Sequence, residues 1–82
     1  PDQDPQTANT WLVQALTPIE YFNNMLNTNF PDDEVETMGG LLLQEIGLVS
    51  DLEGQTVNID NWQFTILKAD ARSIQLIQAV RQ

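Results

Sequence analysis

The chain has 82 residues, enough for one domain that hides only about 60% of its unfolded surface on folding, so a single modest core is expected. Twelve acidic residues against three basic ones give a formal net charge of −9, and eleven of the acids but none of the bases lie in residues 1–60, with Lys68, Arg72 and Arg81 closing the chain. This imbalance repels phosphate backbones and anionic lipid, which argues against nucleic acid as a partner; the lack of Cys and His removes disulfide and zinc reinforcement and leaves stability to packing.

Residues 1–10 are polar and carry two prolines without apolar periodicity, the composition of a linker or disordered terminus, so the domain is placed at residues 11–82. Trp11, Leu12 and Val13 read as a short first strand. Thr17, Pro18 and Glu20 have the spacing of a capping box with proline at the first helical position, and Leu16 with Tyr21 that of a hydrophobic staple. Ile19, Phe22, Met25 and Leu26 then recur at helical spacing, which predicts an amphipathic helix ending near Asn27 to Asn29. An acidic loop from Phe30 to Glu36 leads to Thr37, placed to cap a second helix through Met38, Leu41, Leu42, Glu45 and Ile46 with Gly47 as its stop. Gly39 and Gly40 each cost a helix about 1 kcal/mol relative to Ala, which points to a second backbone packing closely there.

From Gly54 the period changes to two. Val57 and Ile59, then Trp62, Phe64 and Ile66, then Ile74, Leu76 and Val80 read as three strands, with Asp60-Asn61 as a two-residue hairpin and Asp70-Ala71-Arg72 as the second turn. The expected fold is α+β: two helices packed on one face of a small, mainly antiparallel sheet.

This order of elements resembles the CorC/HlyC transporter-associated domain over residues 11–81. The resemblance is carried by Thr17-Pro18-Ile19-Glu20, Phe30-Pro31 with the acids after it, Thr37-Met38-Gly39-Gly40-Leu41, Gly54, and Phe64 through Arg72-Ser73-Ile74. Two turns depart from the pattern: Ala15-Leu16 stands where a glycine is usual, and Ser50-Asp51-Leu52-Glu53 replaces a more basic, proline-bearing stretch. The resemblance implies an FAD-binding PCMH-like fold and a noncatalytic accessory role in a magnesium and cobalt efflux protein or hemolysin-like protein. It also implies a position on the cytoplasmic side of the membrane, after a membrane domain and paired CBS domains of the same polypeptide. Those domains are the expected partners, and a homodimer is a further arrangement the reading admits. Apolar runs such as Leu41-Leu42-Leu43 are far shorter than the roughly 20 residues a membrane-spanning helix needs, so direct insertion of this segment is not expected, nor is a signal or anchor read in it.

Catalysis lacks its usual parts. There is no His or Cys, and the single Lys68 sits between Leu67 and Ala69 on an expected strand, so no enzyme activity is expected. Paired-carboxylate chemistry among Asp32, Asp33, Glu34 and Glu36 competes with the simpler reading of a solvated loop. The same four residues, or Asp51 with Glu53, supply the oxygen donors that Mg2+ or Ca2+ requires, although neither segment has EF-hand spacing; weak cation binding by a sensor is the alternative function. Thr37-Met38-Gly39-Gly40 opens a helix in the manner of a phosphate-binding turn, but the neighbouring acids oppose a pyrophosphate, and FAD is not expected. Trp11, Tyr21 and Trp62 are candidate contact aromatics, with burial in the domain's own core as the competing reading.

Overall fold

The structure is a computed structural model that describes Asp2, Gln3 and residues 9–82. Its strands are β1 (Asp2–Gln3), β2 (Thr10–Gln14), β3 (Thr56–Ile59), β4 (Trp62–Ala69) and β5 (Ile74–Arg81), and its helices are α1 (Ile19–Leu26) and α2 (Met38–Ile46). The strands form one antiparallel sheet in the order β1-β2-β5-β4-β3, so the last three make the expected meander and β2 joins its far side. Both helices cover one face, and the core between the layers contains Val13, Ile19, Phe22, Met38, Leu42, Phe64, Ile66 and Ile77.

The boundary at residue 10 shifts. Thr10 opens β2 and is buried, and Asp2–Gln3 pair with Leu12 and Trp11; residues 1 and 4–8 lie outside the described residues. Backbone pairing needs no apolar pattern, which is why polar residues with no periodicity can still add a short edge strand.

The two helices begin differently. Thr37 caps α2 as expected, its Oγ1 accepting from the Gly40 N–H at 3.1 Å, and Gly47 ends that helix at φ 77°. The capping box at α1 does not form: Pro18 holds the cap position in extended conformation without a side-chain bond. A backbone seam replaces it. Pro18 and Thr37 face each other in an antiparallel bridge, the Ile19 N–H donates to the Glu36 carbonyl at 2.8 Å, and the Met38 N–H donates to the Thr17 carbonyl at 2.9 Å. The main chain of one helix start thus satisfies the other, leaving the Thr17 hydroxyl no capping work. The staple is absent as well, because Leu16 is 83% exposed and Tyr21 47%.

Close approach at Gly39 is confirmed. Its N–H donates to the Ala15 carbonyl at 2.9 Å, and a Cβ there would lie 2.9 Å from the Ala15 Cβ and 3.1 Å from that carbonyl oxygen. At Gly40 the neighbours are the Thr37 hydroxyl and Val35, which are side chains and not backbone.

In β5 the buried positions are Ile74, Ile77 and Ala79, while Leu76 and Val80 are only half-buried on the other face, contrary to the alternation expected from Ile74. The pairing explains this: Ile66 faces Ile77, Lys68 faces Leu76 and Ala69 faces Ile74, so an extra residue in each strand resets the phase. The hairpin at Asp60-Asn61 forms as expected, with Ile59 opposite Trp62 and Asp60 at φ 55°. In the turn before β5, Asp70 Oδ1 accepts from the N–H groups of Arg72 and Ser73 at 2.9 and 2.8 Å. These two donors, Arg72 foremost, hold the carboxyl below its ordinary pKa of 3.8.

Six aromatic contacts tie the layers together around Phe22, whose ring lies 5.3 Å from Trp62, 5.8 Å from Phe30 and 6.1 Å from Phe64. Asn23 places Phe30: its Nδ2 donates to the Phe30 carbonyl and its Oδ1 accepts from the Phe30 N–H, both at 3.0 Å. Arg81 closes the rim. Its guanidinium lies 4.8 Å from the Trp62 ring and 5.5 Å from Trp11, and Nη2 donates to the Leu26 carbonyl at the negative end of α1.

Three measurements check these assignments. Gly39→Ala should lower unfolding free energy in urea by about 1–2 kcal/mol, overpacking against Ala15 outweighing the better helix propensity, and Gly40→Ala by less. Arg81→Ala should cost about 2 kcal/mol, with Arg81→Lys restoring less than half because an ammonium cannot keep both the planar stacking and the directed bond. The Asp70 carboxyl should titrate with a midpoint below 3.8, visible in the amide shifts of Arg72 and Ser73. Because its folded pKa is depressed, the contribution of Asp70 to stability is present above the unfolded value and fades as pH falls through the folded one; a midpoint at or above the unfolded value would contradict the bonding seen here.

Candidate functional site

The acids gather on the helix side and at the ends of the sheet. Glu20 in the first turn of α1, and Asp32 and Glu36 in the loop between the helices, border an open cleft of about 280 Å³ beside Pro18. The seam between the helix starts places them there, since it brings the end of the acidic loop against the first turn of α1. Asp33 and Glu34 are exposed on the same loop, and one Glu34 oxygen accepts from Gln44 Nε2 at 2.9 Å. Asp51 and Glu53 stand elsewhere, in the approach to β3, where Glu53 Oε1 accepts from the Ala69 N–H at 3.3 Å and the Asp51 carbonyl from Gln55 Nε2 at 3.1 Å. Among the described residues no three carboxylates converge as a ligand set. What the cleft offers is a concentration of negative charge open to water, suited to attracting cations or basic side chains without enclosing them.

The start of α2 has little to offer a phosphate. The Met38 N–H is bonded to Thr17, the Gly39 N–H to Ala15 and the Gly40 N–H to Thr37, so the three amides that a glycine-rich turn would direct at an anion are already in use. Trp62 is 2% exposed and Trp11 half-buried, both in the cluster under Arg81, whereas Tyr21 stands on the surface of α1. A second cleft, about 220 Å³, lies where Asn27, Asn29, Asp60 and Asn61 surround Arg81. The guanidinium there is already engaged by two rings and a carbonyl.

The opposite face of the sheet has another character. Register places Leu12 and Gln14 of β2, Leu76, Gln78 and Val80 of β5, Gln63, Thr65 and Lys68 of β4, and Thr56 and Asn58 of β3 on the side away from the helices. None of these is acidic, although Asp2 of β1, opposite Leu12, lies on the same side. Sequence reasoning did not single out this face, nor Asn23 or Arg81. Gln63 and Thr65 at alternate positions of β4 were the available signal for the face, while the other two depend on contacts far along the chain.

No helix among the described residues is long and apolar enough to cross a membrane. The family model of the CorC_HlyC transporter associated domain matches residues 4–82. The magnesium and cobalt efflux protein CorC of Escherichia coli K12 is 46% identical over 65 residues, and that of Buchnera aphidicola from Baizongia pistaciae is 42% identical over 69; the matches take in 79% and 84% of this chain but 22% and 24% of those proteins. The chain therefore spans about a quarter of the length of these curated relatives. Among solved structures, a Mg2+ and Co2+ transporter (CorC) associated region from Neisseria meningitidis superposes with a TM-score of 0.87 at 32% identity, covering 98% of this chain and 96% of its own. A hemolysin domain from Enterococcus faecalis, 24% identical with a TM-score of 0.86 over 98% and 94% of the two chains, shares the fold. With two helices on one face of an antiparallel sheet, the Thr37-Met38-Gly39-Gly40 helix start, and these matches over nearly its whole length, the chain belongs to the CorC_HlyC transporter-associated domain family.

Proposed function

We propose that this domain is a noncatalytic regulatory module of a longer divalent-cation efflux protein, held on the cytoplasmic side of the membrane. It acts through contacts with the membrane and CBS domains of its own polypeptide. The observation that carries this reading is the 46% identity to a magnesium and cobalt efflux protein of which the chain covers only 22%, the relation expected of one module in a larger transporter. Exposed carboxylates that form no convergent set among the described residues, and the helix-start amides already bonded within the fold, support a docking role over chemistry or nucleotide binding. Net charge of −9 suits contact with basic surfaces of neighbouring domains.

A second reading is a direct divalent-cation sensor, favoured by the cleft that Glu20, Asp32 and Glu36 border. One pair of experiments separates the two. In cells or vesicles carrying the full-length transporter, removal of this domain should leave cobalt and magnesium efflux running but change its rate or its response to cation load by at least about twofold, roughly 0.4 kcal/mol of coupling. Unchanged efflux and unchanged response would overturn the regulatory reading. Titration of the isolated domain with Mg2+, Ca2+ and Co2+ should give no saturable amide shifts below about 1 mM; saturable shifts confined to Glu20 and residues 31–37 would favour the sensor.

A further inference from the structure

Only part of α1 is spent on the core. Ile19 and Phe22 are fully buried and Asn23 is bonded to the loop at Phe30, whereas Glu20, Tyr21, Asn24 and Met25 are exposed. At about 3.6 residues per turn, residues four apart stack into columns, so Glu20 with Asn24 and Tyr21 with Met25 stand side by side on the outer surface. The Glu20 column lies next to the loop, where Glu20, Asp32 and Glu36 border one cleft. The other column is apolar, with Tyr21 47% and Met25 56% exposed. Tyr supplies rigid contact area and Met repacks readily, and both residue types are enriched where proteins meet.

We propose that this outer face of α1 is the docking surface for a basic segment of a neighbouring domain of the same polypeptide. The segment lays an apolar side chain against Tyr21 and Met25 and directs Lys or Arg at Glu20, Asp32 and Glu36. Charge chooses the occupant. Residues 1–60 contain no base, so neither helix nor the loop between them supplies a counter-charge to these three carboxylates. Arg81 meets α1 at its other end, where the Leu26 carbonyl and two Trp rings engage it. A second copy would bring its own charge of −9, with Lys68 on the sheet face away from the helices and Arg72 beside Asp70 in a turn, and an anionic lipid surface would be repelled as well. An arginine of the segment gains from both columns, through a charge-assisted bond to a carboxylate and through the face of the Tyr21 ring.

A contact of two apolar anchors and three carboxylates falls below about 1,200 Å², the size of transient encounters, and as a free pair would have a dissociation constant on the order of 0.1–1 mM. A short linker within one chain supplies an effective concentration on the order of 1 mM, enough to seat the segment and still let it leave. The inference rests on the docking role proposed above and names its surface and the chemistry of its occupant.

The test places a benzophenone amino acid at Met25 in the full-length transporter in membranes, with Asn58 on the far sheet face as the control position, and identifies the captured peptide by mass spectrometry. Position 25 should capture, within one polypeptide, a segment of another domain that carries Lys or Arg within about four residues of a large apolar side chain, at a yield at least about fivefold above the control. Glu20→Lys combined with Glu36→Lys should lower that yield at least about fivefold. Raising salt from about 0.1 M to about 1 M should lower it too, because the Debye length shrinks from about 10 Å to about 3 Å. Equal protease resistance will establish that the variants are folded. Capture of a second copy, of lipid or of a segment without bases, a yield no higher than at Asn58, or a yield unmoved by the two Lys substitutions would overturn the proposal. None of these results touches the regulatory reading, which stands or falls on the efflux measurement.

Discussion

The seam between the two helix starts is the constraint from which the helix layer takes its shape. Thr17-Pro18 and Glu36-Thr37 run antiparallel for a single bridge, and their carbonyls satisfy the leading amides of both helices. An unsatisfied buried amide costs about 1–3 kcal/mol, so three such bonds at one corner make the relative placement of α1, α2 and the end of β2 hard to change. Gly39 follows from this placement, because only a residue without a side chain lets α2 approach the Ala15 carbonyl so closely. The acidic cleft follows too, since the seam carries the loop acids back to Glu20. Fold and candidate site share one set of backbone bonds, and those same bonds occupy the amides that would otherwise invite a phosphate.

The opposite rim depends on aromatic packing. Phe22 reaches from α1 to Trp62 and Phe64 on β4 and to Phe30 in the loop, so one helix side chain joins three parts of the chain. Asn23, its neighbour, spends both ends of its amide on the Phe30 main chain and fixes the path of the loop. Arg81, the last residue of β5, then closes the cluster against solvent and meets the exposed carbonyl end of α1. Of three basic residues in a strongly acidic chain, this one is committed to packing within the domain.

Charge is sorted by layer. Acids line the helix side and the ends, where they can meet basic surfaces and interact over about a Debye length, while the outer sheet face is mixed in polarity, with Lys68 on β4 and Asp2 on β1 opposite Leu12.

Local pattern in the sequence was sufficient for the helices, the meander, the Thr37 cap, the Gly47 stop and the Asp60-Asn61 hairpin, because each depends on residues within one or two turns of one another. Clustering of the acids was equally plain in the sequence, although whether any carboxylates would converge was not. Tertiary structure decided what depended on distant partners. Thr17 and Glu20 read as a capping box until the Glu36 carbonyl arrives from across the loop, and Ile74, Leu76 and Val80 read as one face until paired bulges reset the phase. Asp2–Gln3 show no strand pattern because an edge strand is made by the backbone of its neighbour. The outer sheet face exists only once the strands lie side by side: alternation names the outward residues of each strand, but hydrogen-bonded register alone brings Asp2, Leu12, Gln78 and Thr65 into one row.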